Sequence, residues 1–263
     1  MGMKNSPKGP RNPLTTLLCV STGAVILLLA IPLVTAQAPL VPLPAPPTAP
    51  PAPQPPRFVV VLDAAHGGDD PGGPLGSQPE KAFTLALSVR LRSLLGARGM
   101  QVITTRESDA SVELNRRAEI ANHANAQACL SLHASESGTG IHLFVSSLSP
   151  APSPESARFT AWKTAQAAWV TRSLALAGVL NSVLLHAGMN VTLGRTSLPA
   201  VDSMACPAVA IEIAPESAPQ TTVGQPPTAE LNDPAYQARV AEALAAALLE
   251  WRTDAGRTEA TQP

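Results

Sequence analysis

The chain has 263 residues, 45% of them hydrophobic and 14% charged, which is enough to bury one good-sized core and makes a single folded domain the default. A net charge of -1 and a pI near 6.5, with Lys and Arg scattered along the chain, exclude a basic field for holding a nucleic-acid backbone. Three cysteines are too few for a disulfide framework.

Residues 1–36 differ in kind from the rest of the chain. Lys4, Lys8 and Arg11 precede an almost wholly apolar run, residues 14–34, with small residues at Ala36 and Ala38, the pattern of an export signal. Cleavage after Ala36 is favoured, since cleavage after Ala38 would leave Pro39 at the new amino terminus. The alternative is an uncleaved membrane anchor, because about 20 apolar residues span a bilayer. Residues 37–56 then read as a linker: from Pro39 to Pro56 they hold ten of the chain's 28 prolines, and such a segment forms an extended polyproline tether.

From Phe58 short apolar runs alternate with helical periodicities, which predicts an α/β layer structure over residues 57–253 with a tail at 254–263. The first strand is expected at 58–63. Pro79 and Glu80 open a helix to about Leu95, with Phe83, Leu87, Leu91 and Leu94 on one face. A strand at 101–105, a helix at 111–122, strands at 128–132 and 141–145, a helix at 173–186 and a strand at 208–213 come next. Asp233 as cap and Pro234 at the first position begin a closing helix, with Tyr236, Val240, Leu244, Ala247 and Trp251 at helical spacing. Residues 156–169 read as a short helix packed on the core. The competing expectation is a cover over the cleft, built on Trp162 and Trp169. Cys19 lies in the signal, and Cys129 and Cys206, each beside an apolar run, read as buried thiols; a bridge is the alternative in an oxidising compartment.

The chemistry lies at strand ends. His66 follows the first strand in "VVLDAAHGGDDPGG", His133 ends the third in "SLHAS", and Glu212 sits at the carboxyl end of "AVAIEI". In an open, largely parallel sheet the crevice forms outside those carboxyl ends. Glu80, on the first turn of the first helix, leans over the same edge. Two imidazoles and a carboxylate are a set from which zinc sites with an open position are built. Asp63 is the candidate to orient the His66 ring. His123 and His186 read as helix-end residues. His142 alternates with Ile141 and Leu143, so it faces the opposite way and is a candidate for the cleft. Arg116 and Arg117 read as ion-pairing residues, and Glu113, Glu119 and Glu216 as solvated.

The blocks "VVLDAAHGGDDPG", "EKAFTLALSVRLRSLLGARG", "VELNRRAEIANHANAQACLSLHAS" and "CPAVAIEIA", in this order, resemble the zinc-dependent N-acetylmuramoyl-L-alanine amidases of bacterial cell walls, amidase family 3. The resemblance covers residues 57–251. It implies a single α/β domain whose largely parallel twisted sheet is flanked by helices, with a zinc cleft at the carboxyl ends of the strands. It further implies Zn2+ held by His66, Glu80 and His133, and Glu212 as the catalytic carboxylate. Peptidoglycan is then the substrate, an activator protein a candidate partner, and the periplasm or cell envelope the location, with the N-terminal segment a candidate membrane tether. The alternative on the same fold is a non-catalytic peptidoglycan-binding envelope protein; a zinc peptidase acting on stem peptides is a third reading. Ala64 and Ala65 stand where the family has proline and glycine.

Overall fold

In the computed structural model, which describes residues 57–151, 161–217 and 229–260, the elements succeed one another as an alternation of strand and helix. They are β1 (Val59–Ala64), the two-residue strands β2 (Pro74–Leu75) and β3 (Gln78–Pro79), α1 (Glu80–Ala97), β4 (Gln101–Thr104), α2 (Leu114–His123), β5 (Ala128–Ala134) and β6 (Ile141–Ser146). A 3-10 helix (Trp162–Ala168), α3 (Val170–His186), β7 (Val191–Thr196), the single turn α4 (Pro199–Asp202), β8 (Ala208–Ile213) and α5 (Pro234–Ala260) complete the order. Six strands form one sheet in the order β4-β1-β5-β8-β6-β7. It is largely parallel: only β6 and β8 run antiparallel.

Because side chains alternate across a strand, the two faces have separate cores. Val60, Leu62, Leu130, Leu132, Ile211 and Leu143 face one way. They pack against Leu87 and Leu91 of α1, Leu176 and Leu180 of α3, and Tyr236 and Leu244 of α5. Val61, Cys129, Ala208 and Ala210 face the other way, beneath Ala118 and Ala121 of α2 and Val201 and Met204. The first face carries the larger residues, and truncating one of its fully buried leucines, such as Leu91→Ala, costs about 2–5 kcal/mol.

The topology fixes where a site can form. From β1 the chain crosses by α1 to β4 at the sheet edge, then returns by α2 on the opposite face to β5, on the other side of β1. This reversal opens a crevice at the carboxyl ends of β1 and β5.

Several expectations are corrected. α2 starts at Leu114, not 111, because the Ser111 hydroxyl is used outside the helix, accepting a hydrogen bond from Asp69 N–H at 3.2 Å. β7 and α4 were not expected. The sequence VTLGRT of β7 lies at the sheet edge with no buried residue, so it carries no apolar alternation to read. α5 continues to Ala260, beyond the boundary expected at 253. Cys129 and Cys206 are not free thiols but form a disulfide, with Cα atoms 6.3 Å apart. Cys129 pairs with Ala208 in β8, and its N–H donates to Pro207 O, so the turn entering β8 brings Cys206 beside β5.

The cover expectation splits. Residues 152–160 lie outside the described residues. The remainder is a 3-10 helix whose one buried residue, Gln166, donates to Met204 O and Cys206 O, the segment that enters β8 at its amino end. That is the end of the sheet opposite Glu212. The described part is thus a short helix that packs on the core through Gln166, with Trp162 44% exposed and Trp169 half-buried, and it does not lie over the cleft.

Candidate metal centre and active site

The loop after β1 takes its shape from three consecutive left-handed residues, His66, Gly67 and Gly68. A Cβ at Gly67 or Gly68 would collide with Ala110 O or with Ser111, so the glycines let the loop close against residues 110–111. Ala64 and Ala65 are absent from the positive-φ set and buried, so alanine serves where the family has proline and glycine.

Two buried arginines hold this loop from behind. Arg106 Nε donates to Ala64 O at 2.9 Å, and its Nη2 to Ala65 O at 2.9 Å and Lys81 O at 2.7 Å. Arg117 donates to Ala64 O and His66 O, each at 2.7 Å, and pairs with Asp63 at 2.7 Å. Burial, then the nearby Arg117 charge, pulls the Arg106 guanidinium below its ordinary value. Arg117 is thus an inter-element ion-pair residue, as expected, whereas the sequence reading missed Arg106.

The same loop supplies acceptors for α1. Glu80 N–H donates to Gly73 O at 2.9 Å and Lys81 N–H to Pro71 O at 3.1 Å, satisfying two of the N–H groups that a helix start leaves unpaired. This fixes Glu80 over the crevice. Its Oε1 accepts Ala134 N–H at 3.0 Å and lies 3.0 Å from His133 Nδ1. Its Oε2 accepts Gly73 N–H at 3.0 Å and lies 3.1 Å from His66 Nε2. Burial pushes the Glu80 carboxyl up, but the His133 hydrogen bond and the Gly73 and Ala134 N–H groups outweigh it and hold the carboxyl at about 2.

His66, Glu80 and His133 therefore converge, with one ligand atom from each lying within 4.8 Å of the others. A tetrahedral ion with bonds of about 2.0–2.2 Å needs ligand atoms about 3.3 Å apart; each imidazole stands at about that distance from one Glu80 oxygen, His133 Nδ1 from Oε1 and His66 Nε2 from Oε2. Room is kept for it: a Cβ at Gly72 would stand 2.7 Å from both Glu80 Oε2 and His66 Cδ2. The donor set fits a divalent metal that favours nitrogen and oxygen. The ring of His66 is oriented by Asp70, not Asp63: Nδ1 donates to Asp70 Oδ2 at 2.8 Å, which holds the Asp70 carboxyl below its usual range. Asp63 instead accepts from Arg117, Thr105 and Ser131 and is 2% exposed.

Glu212 lies half-buried on β8, in register with His133 on β5 and with His142 on β6. Two residues on, Ala214 O accepts the buried Tyr236 hydroxyl at 2.7 Å, and burial raises that hydroxyl's pKa. His66 and His133 line a cleft of about 690 Å3 that runs past Asp70, Ser111, Glu113 and Arg117 to Ala200. His123 and His186 each turn Nδ1 to a carbonyl of their own helix, Glu119 O at 2.8 Å and Ser182 O at 2.7 Å, away from the site. Glu216 corrects its expectation: it is 8% exposed and pairs with Arg239.

The comparisons agree with this architecture. The family described as N-acetylmuramoyl-L-alanine amidase matches residues 60–250. The sporulation-specific N-acetylmuramoyl-L-alanine amidase of Bacillus subtilis is 36% identical over 89 residues, 33% of this chain and 35% of that protein. AmiA of Escherichia coli is 42% identical over 80 residues, 30% of this chain and 27% of that protein. The chain thus spans about a third of the length of the curated relatives it matches. Among solved structures, the catalytic domain of CwlV from Bacillus (Paenibacillus) polymyxa superposes with a TM-score of 0.56 at 23% identity, covering 74% of this chain and 98% of that one. CwlD of Clostridioides difficile, solved with the GerS lipoprotein, gives 0.56 at 22% identity over 75% of this chain and 99% of that one. Both share the fold, and with the family matched over most of its length the chain belongs to the N-acetylmuramoyl-L-alanine amidases.

Proposed function

We propose that this protein is a zinc-dependent amidase that hydrolyses the amide joining N-acetylmuramic acid to L-alanine in peptidoglycan, in wall remodelling or daughter-cell separation. The observation that carries the reading is the convergence of His66, Glu80 and His133 beside Glu212, which is in register with His133. Residues 1–36 serve as export signal or membrane anchor, 37–56 as a proline-rich linker, and the catalytic domain runs from 57 to the end of α5 at Ala260. The protein then works in the periplasm or cell envelope. CwlD has been solved bound to a lipoprotein, and a partner protein is the candidate activator for this chain too.

Zinc held by His66, Glu80 and His133 supplies Lewis acidity toward the amide carbonyl and lowers the pKa of water toward about 7. Asp70 keeps the His66 proton on Nδ1, which leaves Nε2 free to ligate. Glu212 takes a proton from the attacking water and delivers it to the departing alanine nitrogen, as a general base turned acid. Gly67 and Gly68 keep side chains out of the space beside His66.

The test is mass analysis of products from purified sacculi, with and without a chelator. The expected result is chelator-sensitive release of whole stem peptides with a free alanine amino terminus. Binding to sacculi without release would favour the non-catalytic envelope protein instead, and cuts within the peptide would favour the peptidase. Glu212→Gln keeps the side-chain shape but cannot take a proton, so zinc content should stay while activity falls by at least ~10²-fold. Activity within a few-fold of wild type would remove Glu212 from the role.

A further inference from the structure

Glu212 has a histidine on each side in its own row of the sheet. His133 stands opposite it on β5 and His142 on β6, and Thr192 of β7 stands opposite His142. Directly paired residues point to the same face, with Cβ atoms about 4.5–5.5 Å apart across an antiparallel pair. The row Thr192, His142, Glu212, His133 therefore runs along one face, ending at the metal centre.

The His142 ring is oriented. Its Nδ1 lies 2.6 Å from Thr192 Oγ1, and its Nε2 makes no hydrogen bond among the described residues. The β5–β6 loop passes beside Nε2 at Gly138, where a Cβ would come within 3.0 Å. The face is open: His142 and Phe144 are half-buried and Thr192 is exposed, whereas Ile141, Leu143 and Val145 on the other face are fully buried. An oriented imidazole with one uncommitted nitrogen on an open face beside the proton-transferring carboxylate is placed to meet substrate.

Linear order says which part. An amide whose carbonyl is at the metal and whose nitrogen is at Glu212 continues, beyond the nitrogen, toward β6. Neighbouring strands are about 4.8 Å apart, and an extended chain advances about 3.5 Å per residue. The first carbonyl on the amine side of the scissile bond then falls over His142. We propose that His142, through Nε2, hydrogen-bonds this carbonyl and so holds the peptide side of the substrate, with Thr192 keeping the ring in place. The inference rests on the amidase reading of the metal centre and Glu212.

The experiment measures binding and cleavage separately. The probe is N-acetylmuramoyl-L-alanine extended by two amino acids, titrated calorimetrically into zinc-loaded Glu212→Gln protein with His142 intact, His142→Phe or His142→Gln. One lost hydrogen bond corresponds to a Kd raised roughly three- to ten-fold in His142→Phe. His142→Gln, which keeps a polar tip, should recover most of it. Thr192→Val, which leaves the ring but frees it, should raise Kd by a smaller factor. With Glu212 restored, His142→Phe should raise KM more than it lowers kcat.

A Kd unchanged within two-fold in His142→Phe, or a loss confined to kcat, overturns the contact even if the wild-type protein cleaves. Absence of cleavage by wild type together with weaker binding by His142→Phe overturns the amidase reading and leaves the contact standing. Absence of binding by every form overturns both.

Discussion

Replacing Arg117 with methionine removes one half of an ion pair whose side chains are 5% and 3% exposed, and leaves Asp63 charged beneath the His66 loop. Breaking a buried pair from one side costs about 3–5 kcal/mol. The lower end applies, because Asp63 keeps the Thr105 and Ser131 hydroxyls, each at 2.8 Å. The carbonyls of Ala64, His66 and Val112 lose a donor in the same step. Arg117→Met should therefore lose about 3 kcal/mol, which for a domain of this size lowers Tm by about 6–12 °C. Urea melts should be run with a chelator present, since bound metal adds its own stabilisation. Asp63→Leu in the same background removes the stranded charge, so the double variant should be more stable than the sum of the single losses predicts, by about 2 kcal/mol. The His66 carbonyl is one of the released groups, so zinc affinity should also fall by about 10-fold or more. Arg117→Met within 1 kcal/mol of wild type, with no coupling to Asp63 and unchanged zinc affinity, would refute the claim that this pair holds the loop that carries His66.

His66→Ala and His133→Ala should each abolish zinc binding and activity together, because a three-ligand site cannot lose one ligand and hold its ion; stoichiometric zinc at sub-micromolar metal in either variant would overturn the assignment. The Cys129–Cys206 bridge closes a loop of sequence separation 77, for which unfolded-chain entropy gives at most about 4.5 kcal/mol. Cys129→Ala/Cys206→Ala should lower Tm accordingly, and a Tm unmoved by reduction would show that the bridge does not form. Glu80, held at about 2 below its ordinary 4.5, stabilises the metal-free fold fully above pH 4.5, and this contribution is lost as pH falls toward 2. Urea melts in chelator should show about 2 kcal/mol of this lost by pH 3. Glu80→Gln should flatten that acid limb, and an identical slope in the variant would refute it.

What the sequence made legible is what local patterns encode. The apolar runs at β1, β5 and β8 are buried in the sheet interior and so read as strands, and their carboxyl ends carry His66, His133 and Glu212. The Asp233-Pro234 start of α5 was equally plain, since Asp233 Oδ1 caps Ala235 N–H at 2.8 Å. β7 was not legible, because an edge strand buries neither face and needs no alternation. The disulfide is the less favoured reading of the sequence, because Cys129 and Cys206 come together only through the parallel pairing of β5 with β8.

The parts that stayed hidden have one thing in common, and it bears on how the site works. Arg106, Thr105 and Thr192 act through contacts 41 to 50 residues away in sequence, those of Arg106 to backbone carbonyls, which carry no sequence signature. The reactive groups are visible because their chemical types are rare and their places at strand ends are set by the sheet. The groups that fix their orientation are ordinary in type and become specific only once the chain has crossed from β1 to β4 and back to β5. The His66 loop shows the consequence. Its family-typical proline and glycine are replaced by Ala64 and Ala65, yet their carbonyls are the ones that Arg106 and Arg117 grip. Substitution at the side chain leaves such a grip intact, since the contact is made to the backbone. The orienting arginines should thus tolerate change in the loop they hold far better than the loop tolerates change in them.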